Sequence, residues 1–263
     1  MKAEQLVGAM DKRYSVRTYT KEQPSKEIIS KVTAYMEELN KEYKEALRIA
    51  LINTEHAGRL GTYGVIKGAS YYLAVACKQG EYDKVTLGYA VEKLVLYCTS
   101  LGLGTVWVGG TYNKSNFAKA MNVKEDEQIV IIVPIGYEAE KKALIAKLMG
   151  DNSGKRKAFG EVFFDKNTET PLTEQAAGNY AEALNNLRFA PSAVNKQPWR
   201  VIKDGNSLHF YGTDLEGYHK VDLGIALAHF HLTLQAQGIE GEFKRFRGPI
   251  KTPFTYLASW VEK

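Results

Sequence analysis

The chain has 263 residues, of which 44% are hydrophobic and 25% charged, and this balance is typical of a globular protein with one large core or two smaller ones. No apolar run approaches the roughly 18 to 20 residues that span a bilayer, and the polar N-terminal segment does not resemble a secretory signal, so we expect a cytoplasmic protein without a membrane partner. The net charge is +5, and the basic residues are interspersed with acidic ones, which argues against a nucleic-acid partner. The two cysteines form neither a disulfide framework nor a metal site.

Hydrophobic periodicity and turn residues predict alternating helices and strands. Ser25 caps an amphipathic helix, and we expect a second helix from about Lys44. Five further elements are then predicted: a buried strand at 70–77, a long apolar helix at 87–98, a strand at 105–108, a polar helix at 116–121 and a strand at 128–135. A polar segment at 165–171 breaks the pattern and marks a junction, and alternating apolar residues at 252–261 predict a half-buried closing strand.

Beyond the junction the pattern repeats. The segment 82–88 matches the segment 218–224 at five of seven positions, with an offset in numbering of 218 − 82 = 136. The same offset relates 65–67 to 201–203. We therefore infer two related units joined at about residue 166, with a pseudo-symmetric interface that replaces the two-fold interface of a homodimer.

The segment 190–199, Ala-Pro-Ser-Ala-Val-Asn-Lys-Gln-Pro-Trp, is predicted to end a helix and open a strand, because the residue before a proline is pushed out of the α region. Its short loop presents a hydroxyl, two amides and an aromatic ring at Ser192, Asn195, Gln197 and Trp199. This set suits a planar heterocycle with polar edges. The same residue types are equally compatible with an ordinary helix-to-strand turn.

The first unit has diverged at the corresponding loop. At the same offset, Asn195 corresponds to Arg59 and Gln197 to Gly61, so the first copy has lost both amides. Basic segments at 13–17 and 155–157, in turn, have no evident counterparts in the second unit. If these segments converge with the 190–199 loop, one complete ligand site survives per chain.

The basic residues of the first unit favour a phosphate. Arg13, Ser15 and Arg17 alternate, so that two guanidinium groups and one hydroxyl can point the same way, and arginine offers paired donors in a planar fork. The segment Lys155-Arg156-Lys157 could add charge to the same phosphate. Taken alone, each cluster is more often a solvated surface.

Together these motifs resemble the nitroreductase family of flavin-dependent oxidoreductases. Arg13-Tyr14-Ser15-Val16-Arg17 is similar to the family's N-terminal Arg-x-Ser-x-Arg/Lys phosphate motif, and residues 102–110 are similar to its Gly-Leu-Gly-Thr segment near the flavin. Residues 135–141 resemble its Gly-Tyr-Pro segment, with Glu138 where proline is usual, and residues 154–159 resemble its C-terminal basic cluster. The 190–199 loop resembles the one that the partner subunit supplies in the family's homodimers.

The resemblance implies an α+β fold: a nitroreductase-like three-layer α/β/α arrangement with a mixed, mainly antiparallel sheet, present as two tandem pseudo-symmetric repeats. It is closest to a single-chain branch of the family in which a tandem-repeat monomer mimics the dimer. The first domain, 1–165, would hold the phosphate and ring of flavin mononucleotide (FMN), and the second, 166–263, would act as the built-in partner subunit.

The implied chemistry is carried by the flavin, and no residue is assigned as catalytic. NADH or NADPH would reduce the flavin, which would then pass electrons to a small acceptor such as a nitroaromatic or a quinone. Main-chain N–H groups near Gly109 and Gly110, or the amide of Asn195, could stabilise negative charge on the reduced ring. The cofactor-binding residues so predicted are Arg13, Tyr14, Ser15, Arg17, Trp107, Gly109, Gly110, Lys155, Arg156, Pro191, Ser192, Ala193, Asn195 and Gln197.

Two other functions remain open at this point, because a fold does not guarantee turnover. The chain could be a non-enzymatic flavin-binding or redox-sensing protein, or a flavin-free interaction protein that kept only the scaffold. The histidines give no metal signal, since His229 and His231 are two residues apart on a predicted helix and are expected to have packing or surface roles.

Overall fold

The computed structural model describes residues 1–57, 60–140 and 155–263. Arg59, the predicted counterpart of Asn195, and Gly154, the first residue of the predicted basic cluster, lie outside these ranges. The helices are α1 (Ala3–Met10), α2 (Lys26–Glu42), α3 (Thr54–Ala57), α4 (Asp83–Ser100), α5 (Lys114–Met121), α6 (Phe159–Val162), α7 (Glu174–Ala177), α8 (Ala181–Phe189) and α9 (His219–Ala236). The strands are β1 (Leu47–Asn53), β2 (Tyr71–Cys77), β3 (Gly104–Thr105), β4 (Gln128–Gly136), β5 (Phe163–Asp165), β6 (Trp199–Asp204), β7 (Ser207–Gly212), β8 (Gly241–Lys244) and β9 (Thr255–Glu262).

The first sheet contains four strands in the order β1-β2-β4-β3, all antiparallel to their neighbours. The predicted helix from about Lys44 is wrong, because residues 47–53 form β1, paired along its whole length with β2. The Asn40 side chain of α2 bonds both the N–H and the C=O of Ile49 and so satisfies backbone groups on the open side of this strand. The predicted strand at 105–108 is shorter than expected, since β3 ends at Thr105 and Val108 makes an isolated bridge to Ile132.

The second sheet contains five strands in the order β5-β6-β7-β9-β8. Only the pairing of β5 with β6 is parallel, and the other neighbours are antiparallel. Both sheets together therefore confirm the predicted mixed, mainly antiparallel arrangement. Because β5 precedes residue 166 and yet pairs with β6, the second sheet includes a strand from the first predicted domain, and the boundary at 165/166 stays a prediction.

The helices α4 and α9 form the centre of the molecule, and the main hydrophobic core surrounds them. Alternate residues of β2 contribute to different cores: Leu73 and Val75 belong to the central one, whereas Ala74 and Ala76 belong to a second core with Phe117 of α5. The first sheet thus has helices on both faces, which gives the expected layers of helix, sheet and helix. No helix in the described ranges is long and apolar enough to cross a membrane, and no group of three potential metal ligands occurs there.

The long helices α4 and α9 reproduce the sequence offset at both ends, since 219 − 83 = 136 and 236 − 100 = 136. The strands β2 and β7 begin at the same offset, 207 − 71 = 136. The matched residues 65–67 and 201–203 differ, because only the second set lies in a strand. Matching helix and strand bounds at one offset are what two copies of one unit would produce.

Candidate functional site at the 190–197 loop

The loop that follows α8 is held in a sparsely populated backbone conformation. Val194, Asn195 and Gln197 have φ angles of 45°, 57° and 51°, in the left-handed region that disfavours residues other than glycine. Val194 is β-branched and its side chain is 86% exposed, so neither intrinsic preference nor burial of this side chain accounts for its conformation. Backbone strain of this kind is concentrated at ligand-binding and catalytic sites.

The loop is tied internally and to the basic segment before α6. Ser192 Oγ accepts a hydrogen bond from the Gln197 N–H at 2.9 Å, and Gln197 Oε1 accepts one from the Lys157 N–H at 2.9 Å. Asn195 Nδ2 donates to the carbonyl oxygen of Lys155 at 2.8 Å, and its Oδ1 accepts from Arg156 at 3.1 Å. The structure therefore brings together two sets of predicted site residues that are about 40 residues apart in sequence.

Positive charge is concentrated around this junction. Burial lowers the pKa of the Lys157 ammonium, and the nearby charges of Arg200 and Lys196 lower it further, opposed by the charge of Glu161. Arg188 donates to the Lys157 carbonyl oxygen at 3.1 Å, and Arg156 donates to that of Phe189 at 2.9 Å. A cluster of cations favours a bound anion, which would offset their repulsion.

The first turn of α9 connects the loop to the first unit. The Tyr218 hydroxyl donates to the Gly109 carbonyl oxygen, and its ring lies so close to Gly109 that a Cβ there would overlap it. Asp222 Oδ1 accepts a hydrogen bond from the Ala193 N–H at 3.0 Å. Residues from both predicted domains, Gly109 and Ala193, are therefore joined through a single helical turn.

Asp222 also carries a buried polar atom that no described residue satisfies. Its Oδ2 has no hydrogen-bond partner within the described ranges, although the residue is only 3% exposed. Burial raises the pKa of this carboxyl to about 7, opposed by the Ala193 N–H and by the charge of His219. An unsatisfied buried carboxylate oxygen beside a strained loop is the kind of feature that a ligand donor or an ordered water satisfies.

The N-terminal motif lies against the first sheet, and its side chains diverge. Arg13 is buried, and its Nε lies 3.9 Å from Glu92 Oε1 in the interior, whereas the exposed Tyr14 donates its hydroxyl to Glu138. Ser15 makes a parallel bridge to Thr105 of β3. Arg17, which is half-buried, accepts a hydrogen bond at its carbonyl oxygen from the Lys67 N–H. The two arginines of the predicted phosphate motif thus have different surroundings, and Arg13 faces an acidic group.

Three further predicted site residues, Trp107, Gly110 and Pro191, have separate surroundings. The Trp107 indole Nε1 donates to Glu92 Oε2 at 2.9 Å, and Gly110 is exposed with open space where a Cβ would stand. Pro191 is half-buried in the segment that leaves α8. Four further residues make contacts here that the sequence did not predict: Glu92 in α4, Asp222 and His229 in α9, and Tyr218 just before α9. In sequence they resemble ordinary helix positions, because their contacts are distant in the chain.

The degenerate loop of the first unit has different surroundings. A cavity of about 580 Å³ is lined by Gly61, Thr62, Tyr63, Gly64, Asn113 and Asn116. None of these six described residues has a charged side chain, but Arg59, which precedes them in the same loop, lies outside the described ranges.

The donor set around the 190–197 loop fits the phosphate and polar groups of FMN. Lys155, Arg156 and Lys157 bring positive charge to the loop, and the amides of Asn195 and Gln197 hold this basic segment in place. The unsatisfied Oδ2 of Asp222 adds an acceptor for a hydroxyl or N–H donor. When bound, FMN would supply hydride and single-electron transfer, which no side chain of the chain can perform.

Comparison with solved structures places the fold among known proteins. A protein of Thermotoga maritima, described as a "putative nitroreductase", is 20% identical to this chain with a TM-score of 0.60, and the match covers 99% of this chain and 94% of that one. A nitroreductase family protein of Clostridium difficile is 18% identical over 54% of this chain and 88% of that one, with a TM-score of 0.41. A nitroreductase of Desulfitobacterium hafniense with bound FMN is 18% identical over 52% of this chain and 91% of that one, with a TM-score of 0.43.

No curated protein shows significant similarity to the chain. A family model does match: the one described as "Putative TM nitroreductase" covers residues 5–234, which is most of the sequence. The nitroreductase-like fold inferred from the motifs is thereby confirmed. The chain belongs to this TM nitroreductase family.

Proposed function

We propose that the chain is a flavin-dependent oxidoreductase that binds one FMN in a composite site and passes electrons from NADH or NADPH to a small electron-poor acceptor, such as a nitroaromatic or a quinone. Membership of the nitroreductase family supports an oxidoreductase that uses a flavin. The observation that carries the proposal is the joining of the strained 190–197 loop to the basic segment 155–157 and, through α9, to Gly109.

Each part of the proposed site has a distinct role in holding the cofactor. Lys155, Arg156 and Arg17 would neutralise the phosphate, since guanidinium and ammonium groups form charge-assisted hydrogen bonds with phosphate oxygens. Ser192, Ala193, Asn195 and Gln197 would orient the cofactor through the loop that α9 holds in place. Arginine keeps its charge at any working pH, so phosphate binding by Arg156 and Arg17 would persist as the pH changes.

The proposed role of the protein in the reaction is orientation rather than proton transfer. Gly110 leaves open space beside the backbone, whereas the Tyr218 ring occupies that space at Gly109. The N–H groups of both glycines are candidates for stabilising negative charge on a reduced ring. The Tyr218 side chain at Gly109 is the group that a ring approaching this segment would meet. An aromatic side chain there could pack against a planar ligand and exclude water from it.

The experiment that tests the function measures NADH and NADPH oxidation by the FMN-loaded, desalted chain, with and without a nitroaromatic or quinone acceptor. Retained FMN together with acceptor-dependent oxidation of the nicotinamide is the result that we expect. Retained FMN without turnover would favour a flavin-binding or redox-sensing protein. A chain that retains no FMN under these conditions would contradict the proposal and leave only the fold.

A further inference from the structure

An exposed aromatic ring lies beside the candidate site, at the end of α8. Phe189 is the last residue of this helix, and it is 49% exposed. Val194, which is also exposed, lies five residues further along the chain in the strained loop. A single exposed apolar side chain is ordinary on a protein surface, so the neighbours of Phe189 decide whether its ring can bind a ligand.

Two guanidinium groups flank the Phe189 ring. Cζ of Arg188 lies 4.6 Å from the ring centroid and Cζ of Arg156 lies 6.0 Å from it, both within the range of a cation–π contact. Arg156 also donates to the Phe189 carbonyl oxygen at 2.9 Å and to Asn195 Oδ1 at 3.1 Å. The ring, the basic segment and the loop therefore adjoin one another.

Hydrogen bonds fix the Arg188 guanidinium in this position. Its Nε and Nη2 donate to Asn185 Oδ1 at 3.2 and 3.0 Å, and its Nη1 donates to the Lys157 carbonyl oxygen at 3.1 Å. These bonds use three of the five N–H donors that a guanidinium has, so donors for an anion remain. Because the group is already ordered and always charged, little conformational entropy is lost when it binds an anion.

The charges around the ring favour an anionic ligand. Besides Arg188, the basic segment 155–157 contacts both α8 and the loop. Glu161 opposes its positive charge in part. In the proposed function this segment holds the FMN phosphate, whereas Arg188 and Phe189 have no part in cofactor binding. These two residues are therefore available to a second ligand that combines a ring with a negative charge.

We propose that Arg188 and Phe189 select the electron acceptor, and that the preferred acceptor is an aromatic compound with one acidic group, such as a carboxylate. Its ring packs on the exposed ring of Phe189, and its acidic group pairs with the Arg188 guanidinium. The surface offers one exposed ring, which matches a single-ring acceptor better than the two ring systems of NADH or NADPH. As an account of the acceptor, this inference rests on the proposed function.

The test compares two acceptors, 4-nitrobenzoate and 4-nitrobenzamide, in NADH oxidation by the FMN-loaded full chain. The two compounds have the same ring and nitro group and differ in charge. Arg188→Gln should lower the ratio of kcat/KM for nitrobenzoate to that for nitrobenzamide about tenfold, through a higher KM for nitrobenzoate. Arg188→Lys should keep most of this ratio. Both variants lose the planar fork that bonds Asn185 and Lys157, so a merely structural role would affect them equally.

The aromatic contact is tested by Phe189→Leu, which keeps an apolar side chain but removes the ring. We expect the KM of both acceptors to rise about two- to tenfold, with an unchanged ratio between them. Arg245→Gln and Phe246→Leu are the matched controls. The Arg245 guanidinium lies 4.2 Å from the Tyr82 ring centroid, and Phe246 is 45% exposed, so the same residue types occur there on another part of the surface. Both controls should keep the wild-type values.

Three results of these kinetic measurements would overturn the proposal. They are an unchanged ratio in Arg188→Gln, equal losses of the ratio in Arg188→Gln and Arg188→Lys, and a higher KM for NADH in place of a higher KM for nitrobenzoate. The last result would assign the surface to the nicotinamide nucleotide instead of the acceptor.

A second measurement does not depend on flavin. The flavin-free full chain is titrated with 8-anilinonaphthalene-1-sulfonate, a fluorescent aromatic anion, and with its uncharged analogue N-phenyl-1-naphthylamine. Arg188→Gln should weaken binding of the anion about tenfold and leave binding of the uncharged dye unchanged. Equal affinities of the wild type and Arg188→Gln for the anion would overturn the proposal. If the wild-type chain retains no FMN or shows no turnover, the proposed function fails, and the dye titration alone decides whether this surface binds an aromatic anion.

Discussion

Gly88 and Gly224 lie at equivalent positions of the two central helices, since 224 − 88 = 136, and each faces the backbone of the other helix. A Cβ on Gly88 would overlap the carbonyl oxygen of Val221, and one on Gly224 would overlap that of Val85. Val221 and Val85 are themselves related by the same offset, 221 − 85 = 136. This reciprocal contact is the internal equivalent of the isologous interface of a symmetric dimer.

Substitution Gly224→Ala should destabilise the protein, because the new methyl group meets a backbone carbonyl that cannot move independently of α4. We expect a loss of roughly 1–3 kcal/mol in the free energy of unfolding, measured by chemical denaturation. Gly8→Ala in α1 is the matched control, since a Cβ there meets nothing within 4 Å and alanine is the better helix former. Equal effects of the two changes would contradict the close helix crossing.

Substitution Val194→Gly should relieve strain in the candidate site. Val194 has a φ of 45° and is exposed, so glycine removes the steric cost of the left-handed conformation without opening a cavity. Because glycine also makes the unfolded chain more flexible, we expect a gain of at most about 1 kcal/mol in the free energy of unfolding. Val65→Gly, at a position without a positive φ, should instead lower it. A loss at both positions would argue against strain at Val194.

Asp222 should make the stability of the protein depend on pH. Burial raises the pKa of its carboxyl from 3.8 to about 7, so the folded state binds this proton more tightly than the unfolded state does. The resulting stabilisation is complete below about pH 4 and is lost as the pH rises through about 7. Asp222→Asn keeps an acceptor for the Ala193 N–H and should reduce this loss by roughly 1 to 4 kcal/mol.

The measurement for Asp222 is denaturation of both proteins at a series of pH values between these limits. Asp214→Asn is the control, because Asp214 is exposed and its pKa is lowered rather than raised, first by the Glu216 N–H and then by His219. Its removal should not reduce the loss of stability toward neutral pH. Identical pH profiles for the wild type and Asp222→Asn would show that burial does not perturb this carboxyl.

Asn195→Ala should weaken FMN binding more than it weakens the fold. Its side chain joins the loop to the Lys155 carbonyl oxygen and to Arg156, and loss of these bonds would free both segments. We expect the dissociation constant of FMN to rise about tenfold or more, which corresponds to about 1.4 kcal/mol. Titration of the apoprotein with FMN checks this, with Gln237→Ala as a control, since the Gln237 side chain donates to the exposed Glu182. An unchanged affinity would remove Asn195 from the site.

The sequence predicts the central helices and most core strands because their patterns are long and strongly apolar. The helix predicted from the spacing of 87–98 extends from Asp83 to Ser100, and the strand predicted at 128–135 extends to Gly136. The matched segments that reveal the repeat offset include Gly88 and Gly224, where a Cβ would overlap the backbone of the opposite helix. Local pattern and tertiary packing agree in these elements.

Prediction failed where tertiary contacts override local preference. Residues 44–48 are good helix formers, yet pairing with β2 and the two hydrogen bonds from Asn40 place Leu47–Asn53 in a strand. The candidate site was found only in part, for a related reason. Glu92 and His229 lie on two separate helices far apart in the chain, and a single sequence contains no signal that their side chains are in contact.

The central claim is that the two units of one chain build a single flavin site. Native mass spectrometry of the FMN-loaded, desalted protein counts the cofactors per chain and gives the oligomeric state at the same time. We predict one FMN per chain, held by a monomer and lost in the double variant Arg17→Ala, Asn195→Ala. Two FMN molecules per chain would show that the degenerate loop at 61–63 is still functional, and none would contradict the composite site.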